Sequence, residues 1–227
     1  MDTASGGQIT WHTGALPRAT KKALDYLAKQ TWLKNTDWYL AGGTALALQT
    51  GHRVSLDLDF FTPQKKISAD PLIENLSKND WITDILKEGT VYGRLYGAKI
   101  SFIAYPFFQS RKTPHHYGTV KVLDVDDIAV MKIIAISQRG KKRDFVDLYW
   151  LCKHGRSLKK IIQCLPDQYP TVAHDYYHIL KSLTFFDDAE SDPMPRIFFK
   201  ATWKEIKKFF QQEVTAATRE LLGLSDL

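Results

Sequence analysis

Apolar positions recur along the chain in two periods, and the change from one to the other divides it. Over 16–33, Leu16, Ala23, Leu24, Leu27 and Ala28 follow helical spacing with Pro17 near the start, predicting an amphipathic helix with Lys21, Lys22 and Lys29 on its wet side. An apolar run at 38–41 reads as a strand ending in Gly42-Gly43-Thr44, and a short apolar helix at 44–50 follows. At 55–61 the residues SLDLDFF alternate, so a strand there turns Ser55, Asp57 and Asp59 to one side and Leu56, Leu58 and Phe60 into a core. Asp70 as N-cap and Pro71 in the first turn predict a helix over 71–78. Strand-like segments at 81–86, 90–96 and 99–105 come next, punctuated at Glu88-Gly89 and Gly97.

From Asp124 the pattern is helical. Asp124 reads as an N-cap, with Asp126 and Asp127 where the helix dipole favours acids. Ile128, Met131 and Ala135 share a face with Lys132 and Arg139, which places Lys132 on or beside an apolar stripe. Gly140 ends that helix and Arg143 begins another, along which Asp144, Asp147, Leu148 and Leu151 line one side. Further helices are expected near 157–164, 172–183 and 203–222, with a Pro- and Asp-rich connection at 187–195 and core aromatics in 169–186 and 198–210. Residues 1–15 read as loosely ordered. Two domains follow: 1–123, of strands and helices, and 124–227, helical.

Composition adds limits. With 44% hydrophobic and 25% charged residues in 227, the chain reads as a globular protein with ample core. Neither a basic-then-apolar leader nor an apolar run of membrane-spanning length is visible, so a cytoplasmic protein with no membrane partner is expected. Cys152 and Cys164 lack metal-site spacing and read as reduced thiols. The net charge of +6 is uneven, since 1–123 holds 15 Lys and Arg against 10 Asp and Glu. That excess favours a polyanionic partner.

The chemistry concentrates at 42–59. Two carboxylates on one strand face repel each other unless a cation lies between them, and a hard divalent ion takes carboxylate and phosphate oxygens together. A glycine turn at a helix start lets backbone N–H groups hold a phosphate. Farther on, Lys132 beside its apolar stripe reads as a snorkelling boundary lysine or a phosphate contact, and Asp147 among core-type residues as half of a structural ion pair whose cation is Lys132, Arg139 or Arg143. The basic cluster 139–143 reads as a solvated turn or a phosphate contact, and Arg111, Lys112, His115 and His116 in the loop 107–117 as a plain loop or an RNA contact.

Gly-Gly-Thr, a dozen residues, then Asp-x-Asp between apolar residues resembles the signature of the nucleotidyltransferase superfamily that shares the DNA polymerase beta fold. More narrowly, LAGGTALALQTGHRVSLDLDFFT with KIIAISQRGKKRDFVDLYWL resembles the AbiEii/AbiGii nucleotidyltransferase toxins, which include the MenT group. The resemblance implies an α/β nucleotidyltransferase fold with a mixed β-sheet flanked by helices, a helical second domain that completes the cleft, and transfer of a nucleoside monophosphate from an NTP to an acceptor hydroxyl. It implies that Gly42, Gly43 and Thr44 hold the triphosphate and that Asp57 and Asp59 ligate Mg²⁺ or Mn²⁺. Lys132 would bind phosphate, and Asp147 would orient Lys132 or position the acceptor. Arg53 and Ser55 are secondary nucleotide-binding candidates. Where many relatives carry a third carboxylate this chain has Ser101, which leaves one or two metals open. MenT relatives modify tRNA 3′ ends, and the family supplies toxins of toxin–antitoxin or phage-defence systems, which implies an RNA acceptor and a cognate antitoxin. A protein or small-molecule acceptor, and a non-catalytic binding module on the same fold, are the alternatives.

Overall fold

Phe60 stacks on Phe102 with ring centroids 4.9 Å apart, and this contact anchors the core of the sheet. Residues 9–221 are described by the computed structural model, so the expectations for 1–8 and for a helix end at 222 lie outside the described residues. Among them, seven strands form one mixed sheet in the order β3-β4-β5-β2-β1-β7-β6. They are β1 Tyr39–Ala41, β2 Leu58–Thr62, β3 Trp81–Lys87, β4 Thr90–Leu95, β5 Ala98–Ala104, β6 His115–Tyr117 and β7 Val120–Val122. β2–β5 and β1–β7 are parallel and the other pairs antiparallel.

In the first half the helices are α1 Arg18–Leu27, α2 Thr31–Lys34, α3 Gly42–Thr50 and α4 Ala69–Ser77. After the last strand come α5 Val125–Arg139, α6 Lys142–Lys153, α7 Leu158–Gln163, α8 Leu165–Gln168, α9 Tyr176–Ser182, α10 Asp187–Glu190 and α11 Trp203–Leu221. The α/β expectation holds, with a mixed sheet followed by helices. The 123/124 junction lies between β7 and α5, and buried residues from both sides of it belong to one core cluster. Asp124 caps α5 as the sequence suggests, accepting from Asp126 N–H at 2.8 Å. No helix among the described residues is long and apolar enough to cross a membrane.

Several elements differ from expectation for local reasons. The helix over 16–33 breaks into α1 and α2, because Thr119 in the β6–β7 turn donates its N–H to Ala28 O (2.8 Å) and its hydroxyl to Leu27 O (3.1 Å). Those carbonyls are satisfied by the turn instead of by further helix. The strand at 55–61 begins only at Leu58, so Leu56 is 61% exposed and does not enter the core. Ser68, not Asp70, is the N-cap of α4, and Asp70 lies in its first turn. α6 starts one residue early at Lys142, whose ammonium donates to Asp192 O (2.5 Å) and Glu190 O (3.2 Å). The connection at 187–195 contains the short α10, and the loop 107–117 ends in β6. Of 9–15, Ala15 is buried and its carbonyl accepts from Ser55 N–H (3.1 Å), so this part of the N-terminal stretch is tied down.

Candidate active site

β1 delivers the chain into α3 through Gly42, whose φ of +70° is a left-handed conformation that disfavours any side chain. A Cβ there would also stand 3.3 Å from Asp59 Oδ2. No side chain caps the N-terminus of α3, so its leading N–H groups remain available to an anion. Gly43 serves a neighbour: a Cβ there would lie 2.2 Å from Arg53 Nη2, whose side chain is buried and held in place. Gly43→Ala is therefore expected to displace the Arg53 guanidinium and cost about 1–3 kcal/mol of stability, read as a lowered midpoint of urea unfolding.

The buried hydroxyl of Thr44 donates to the carbonyl of Asp57 and lies 2.8 Å from Ser55 Oγ. Its side chain, with Ser55, thus fastens the extended segment 55–57 against α3. Asp57 leaves that segment half-exposed, with Arg143 Nη1 3.7 Å from its Oδ2. Asp59 lies on β2 opposite Ser101 of β5, whose hydroxyl donates to Asp59 Oδ1 at 2.6 Å. Burial pushes the Asp59 carboxyl above its ordinary value; the Ser101 hydrogen bond opposes this and the Asp57 charge adds to it.

A second group of charges, most of it buried, lies behind the glycine turn. Asp147, fully buried on α6, accepts from Arg53 through Nε (2.5 Å) and Nη2 (2.8 Å), and from His52 Nε2 (2.8 Å). Lys132 Nζ on α5 sits 2.6 Å from Asp147 Oδ2 and donates to Asp144 Oδ1 at 2.7 Å. Arg139 completes the group by donating to Asp144 through Nε at 3.0 Å. Burial alone would raise the Asp147 carboxyl, but the charges of Arg53 and Lys132, with hydrogen bonds from Arg53 and His52, hold it well below the usual carboxylate range. Asp144 is likewise lowered, against burial, by Lys132 and Arg139. Desolvation lowers His52, which favours its neutral form.

Stability is expected to fall in two stages on acidification. The unfolded chain protonates its histidine near pH 6.5 whereas buried His52 does so lower, so stability starts to decline as the pH drops through about 6.5. Asp144 and Asp147 contribute fully above the unfolded carboxylate value of about 3.9, and that contribution is lost as the pH falls through their lower folded values. Urea midpoints across this range should show both stages in the wild type, and loss of the upper one in His52→Gln.

The two groups of charges meet at one cleft of ≈ 510 Å³. Gly42, Gly43, Asp57, Asp59, Ser101 and Lys132 all line it, as do Thr44, Arg53 and Ser55, so the structure brings the sequence-selected residues other than Asp147 to its wall. Asp147 acts from behind, through Arg53 and Lys132. Arg139 and Arg143 of the basic cluster reach the cleft, whereas Arg111, Lys112, His115 and His116 do not line it. Arg111 pairs instead with Asp167 (3.2 Å), and His115 with Asp124 (3.1 Å). Sequence reasoning missed His52 and the part played by Asp144. The adjacency of His52 to Arg53 and the Asp144-x-x-Asp147 spacing were the available signals, but the contact joining His52 to Asp147 spans 95 residues. The rest of the wall mixes apolar groups, among them Phe61, Met131 and Ile134, with Asp84, Lys99 and Gln138.

A mixed sheet that brings a glycine turn at a helix start beside a carboxylate strand, with a lysine from a following helical segment, defines a nucleotidyltransferase. Residues 27–222 match the model of the AbiEii nucleotidyl transferase toxins, type IV toxin–antitoxin systems, and the chain belongs to that family. It is similar to the uncharacterized protein aq_aa25 of Aquifex aeolicus, 38% identical over 185 residues covering 78% of this chain and 86% of that one. Among solved structures it resembles MenT4, a nucleotidyltransferase toxin of Mycobacterium tuberculosis, at a TM-score of 0.53 and 14% identity over 91% of this chain and 87% of that one. JHP933 of Helicobacter pylori matches at a TM-score of 0.49 and 18% identity, over 92% and 96% of the two chains. At 14% identity the likeness to MenT4 is one of fold alone.

Proposed function

We propose that the cleft transfers a nucleoside monophosphate from an NTP to the 3′-terminal hydroxyl of an RNA, with tRNA as the acceptor. The observation that carries the transfer reading is the convergence, on one wall, of the uncapped α3 N-terminus, two carboxylates and the ammonium of Lys132. The acceptor oxygen forms a bond to the α-phosphorus while the bond from that phosphorus to the bridging oxygen breaks. Pyrophosphate departs with the electron pair, and the hydroxyl proton passes to water. Such a transfer is chiefly a matter of position and charge neutralisation.

The donor set fits Mg²⁺ or Mn²⁺: two hard carboxylates face the cleft, and burial first, then the charge of Asp57, disfavours the ionised Asp59, a cost that a cation relieves. When bound, the ion neutralises charge on the phosphate oxygens. The chain's own groups do the rest. Backbone N–H groups at Gly43 and Thr44 hold the triphosphate. Lys132 donates to Asp144 and is ion-paired with Asp147, and its ammonium retains donor capacity for a phosphate oxygen. Asp147, being fully buried, is a positioning residue for Lys132 and Arg53 rather than a contact for the acceptor. The helical half, 124–227, completes the cleft through α5 and α6, which carry Lys132, Arg139 and Arg143.

Membership of a toxin family supports a cognate antitoxin as partner and a role in toxin–antitoxin or phage-defence biology. Transfer from each of the four α-³²P-labelled NTPs, with Mg²⁺, into total tRNA and into total protein tests the reading. Label in tRNA that disappears in Lys132→Ala supports it and names the nucleotide. Label in protein alone keeps the chemistry and overturns the RNA acceptor, and label in neither pool overturns both.

A further inference from the structure

A second groove, of ≈ 450 Å³, adjoins the first on the other side of the segment that carries Asp57. The two share Arg53, Ser55, Asp57 and Arg143. A transfer between two substrates needs two seats that meet at one phosphorus, with the attacking and leaving oxygens roughly in line. The first cleft has the helix N-terminus suited to a triphosphate. We propose that the second groove seats the 3′-terminal nucleotides of a single-stranded RNA acceptor, an assignment that rests on the nucleotidyl-transfer reading of the first cleft.

The groove is built, not incidental. Val54 N–H donates to Arg196 O and Phe198 N–H to His52 O, both at 2.8 Å, and Arg53 and Ile197 form an antiparallel bridge. These bonds lash the segment 196–198 to the residues leading into the carboxylates. On the other wall, Asp192 is held by the N–H of Lys142 (3.1 Å) and by Lys141 Nζ (3.2 Å), so its charge is paired.

What faces the groove suits a nucleotide. Leu56, which strand periodicity assigns to the core, stands 61% exposed on its wall, and Met194 is 37% exposed between Pro193 and Pro195. These are apolar surfaces for bases. Two guanidiniums flank them. Arg143 has Asp57 as an ion partner only at 3.7 Å, and the guanidinium of Arg196 lies 5.8 Å from the ring centre of exposed Phe198. Among the described residues Arg196 makes no ion pair, which leaves its charge for a backbone phosphate. Apolar or aromatic platforms combined with unspent cations are the recognition chemistry of single-stranded nucleic acid.

The test uses the full chain and a 5′-fluorescein single-stranded RNA oligonucleotide with a free 3′ end, its affinity measured by anisotropy. NTP affinity is measured separately by thermal shift with a non-hydrolysable NTP analogue and Mg²⁺. Leu56→Asp and Arg196→Glu are both exposed changes, and unchanged Tm values verify their folding. Each is expected to weaken the oligonucleotide roughly tenfold or more while leaving the NTP analogue within about twofold. Wild-type binding that neither substitution weakens overturns the assignment, as does equal loss of NTP affinity or an absence of oligonucleotide binding. Because binding is read without turnover, a protein that transfers nucleotide but ignores both substitutions refutes the groove and spares the transfer reading.

Discussion

Asp147→Ala is expected to lower stability by about 3–5 kcal/mol, since removing one partner of a buried ion cluster leaves the other charges without compensation. Arg53 is only 3% exposed and Lys132 only 4%, and each has Asp147 within 2.8 Å. Each is almost wholly buried and meets water only at the wall of the cleft. The loss should appear as a reduced urea midpoint, accompanied by loss of nucleotidyl transfer because Lys132 and Arg53 are no longer aimed. Asp147→Asn separates shape from charge: it retains the outline of the side chain and should still lose most of the stability. A midpoint near that of the wild type for both variants would mean that water enters this cluster in solution, and the account of Asp147 as a dry positioning residue would fail.

The second large effect runs the opposite way on stability. Asp59→Asn should depress transfer by on the order of a hundredfold or more, since on the proposed reading it removes one of the two carboxylates that would hold the cation neutralising the phosphate charge. Its Tm without metal should stay level or rise. Burial and the charge of Asp57 both disfavour the ionised carboxyl of Asp59, and an amide has no such charge to desolvate. Ser101 retains its acceptor, because an asparagine carbonyl can receive the hydroxyl proton that Asp59 Oδ1 receives at 2.6 Å. Thermal melting beside a labelled-NTP assay gives both readings. A fall in Tm as large as that of Asp147→Ala would show that Asp59 holds the fold together and would overturn the account of its carboxylate as an unfavourably buried charge.

The contrast between these two aspartates shows how much was legible. Alternation at 55–61 marks Asp57 and Asp59 as sharing a side, and both do line the cleft, because period two is a local property of extended chain. The same rule fails at Leu56, two residues before the strand begins. Pairing with β1 starts only at Asp59, and what precedes it is tied to Thr44 and to Ala15, contacts that no local pattern encodes. In the same way the apolar period of 16–33 is helical throughout, yet the chain breaks where Thr119 docks.

Sequence alone determined the α/β class, the glycine turn before a carboxylate strand, the capped helix at Asp124, and the resemblance that family membership bears out. Each of these depends on neighbours within a turn or a strand, or on a motif whose spacing is written in the chain. Only the tertiary structure decided that Gly43 makes room for Arg53 and that Asp147 gathers His52, Arg53 and Lys132. It alone decided that a groove forms between residues 53–57 and 192–196. The physical reason is distance along the chain. The ties between His52, Arg53 and Asp147 span more than ninety residues, and desolvated charges find partners only when the core that excludes water has brought those segments together.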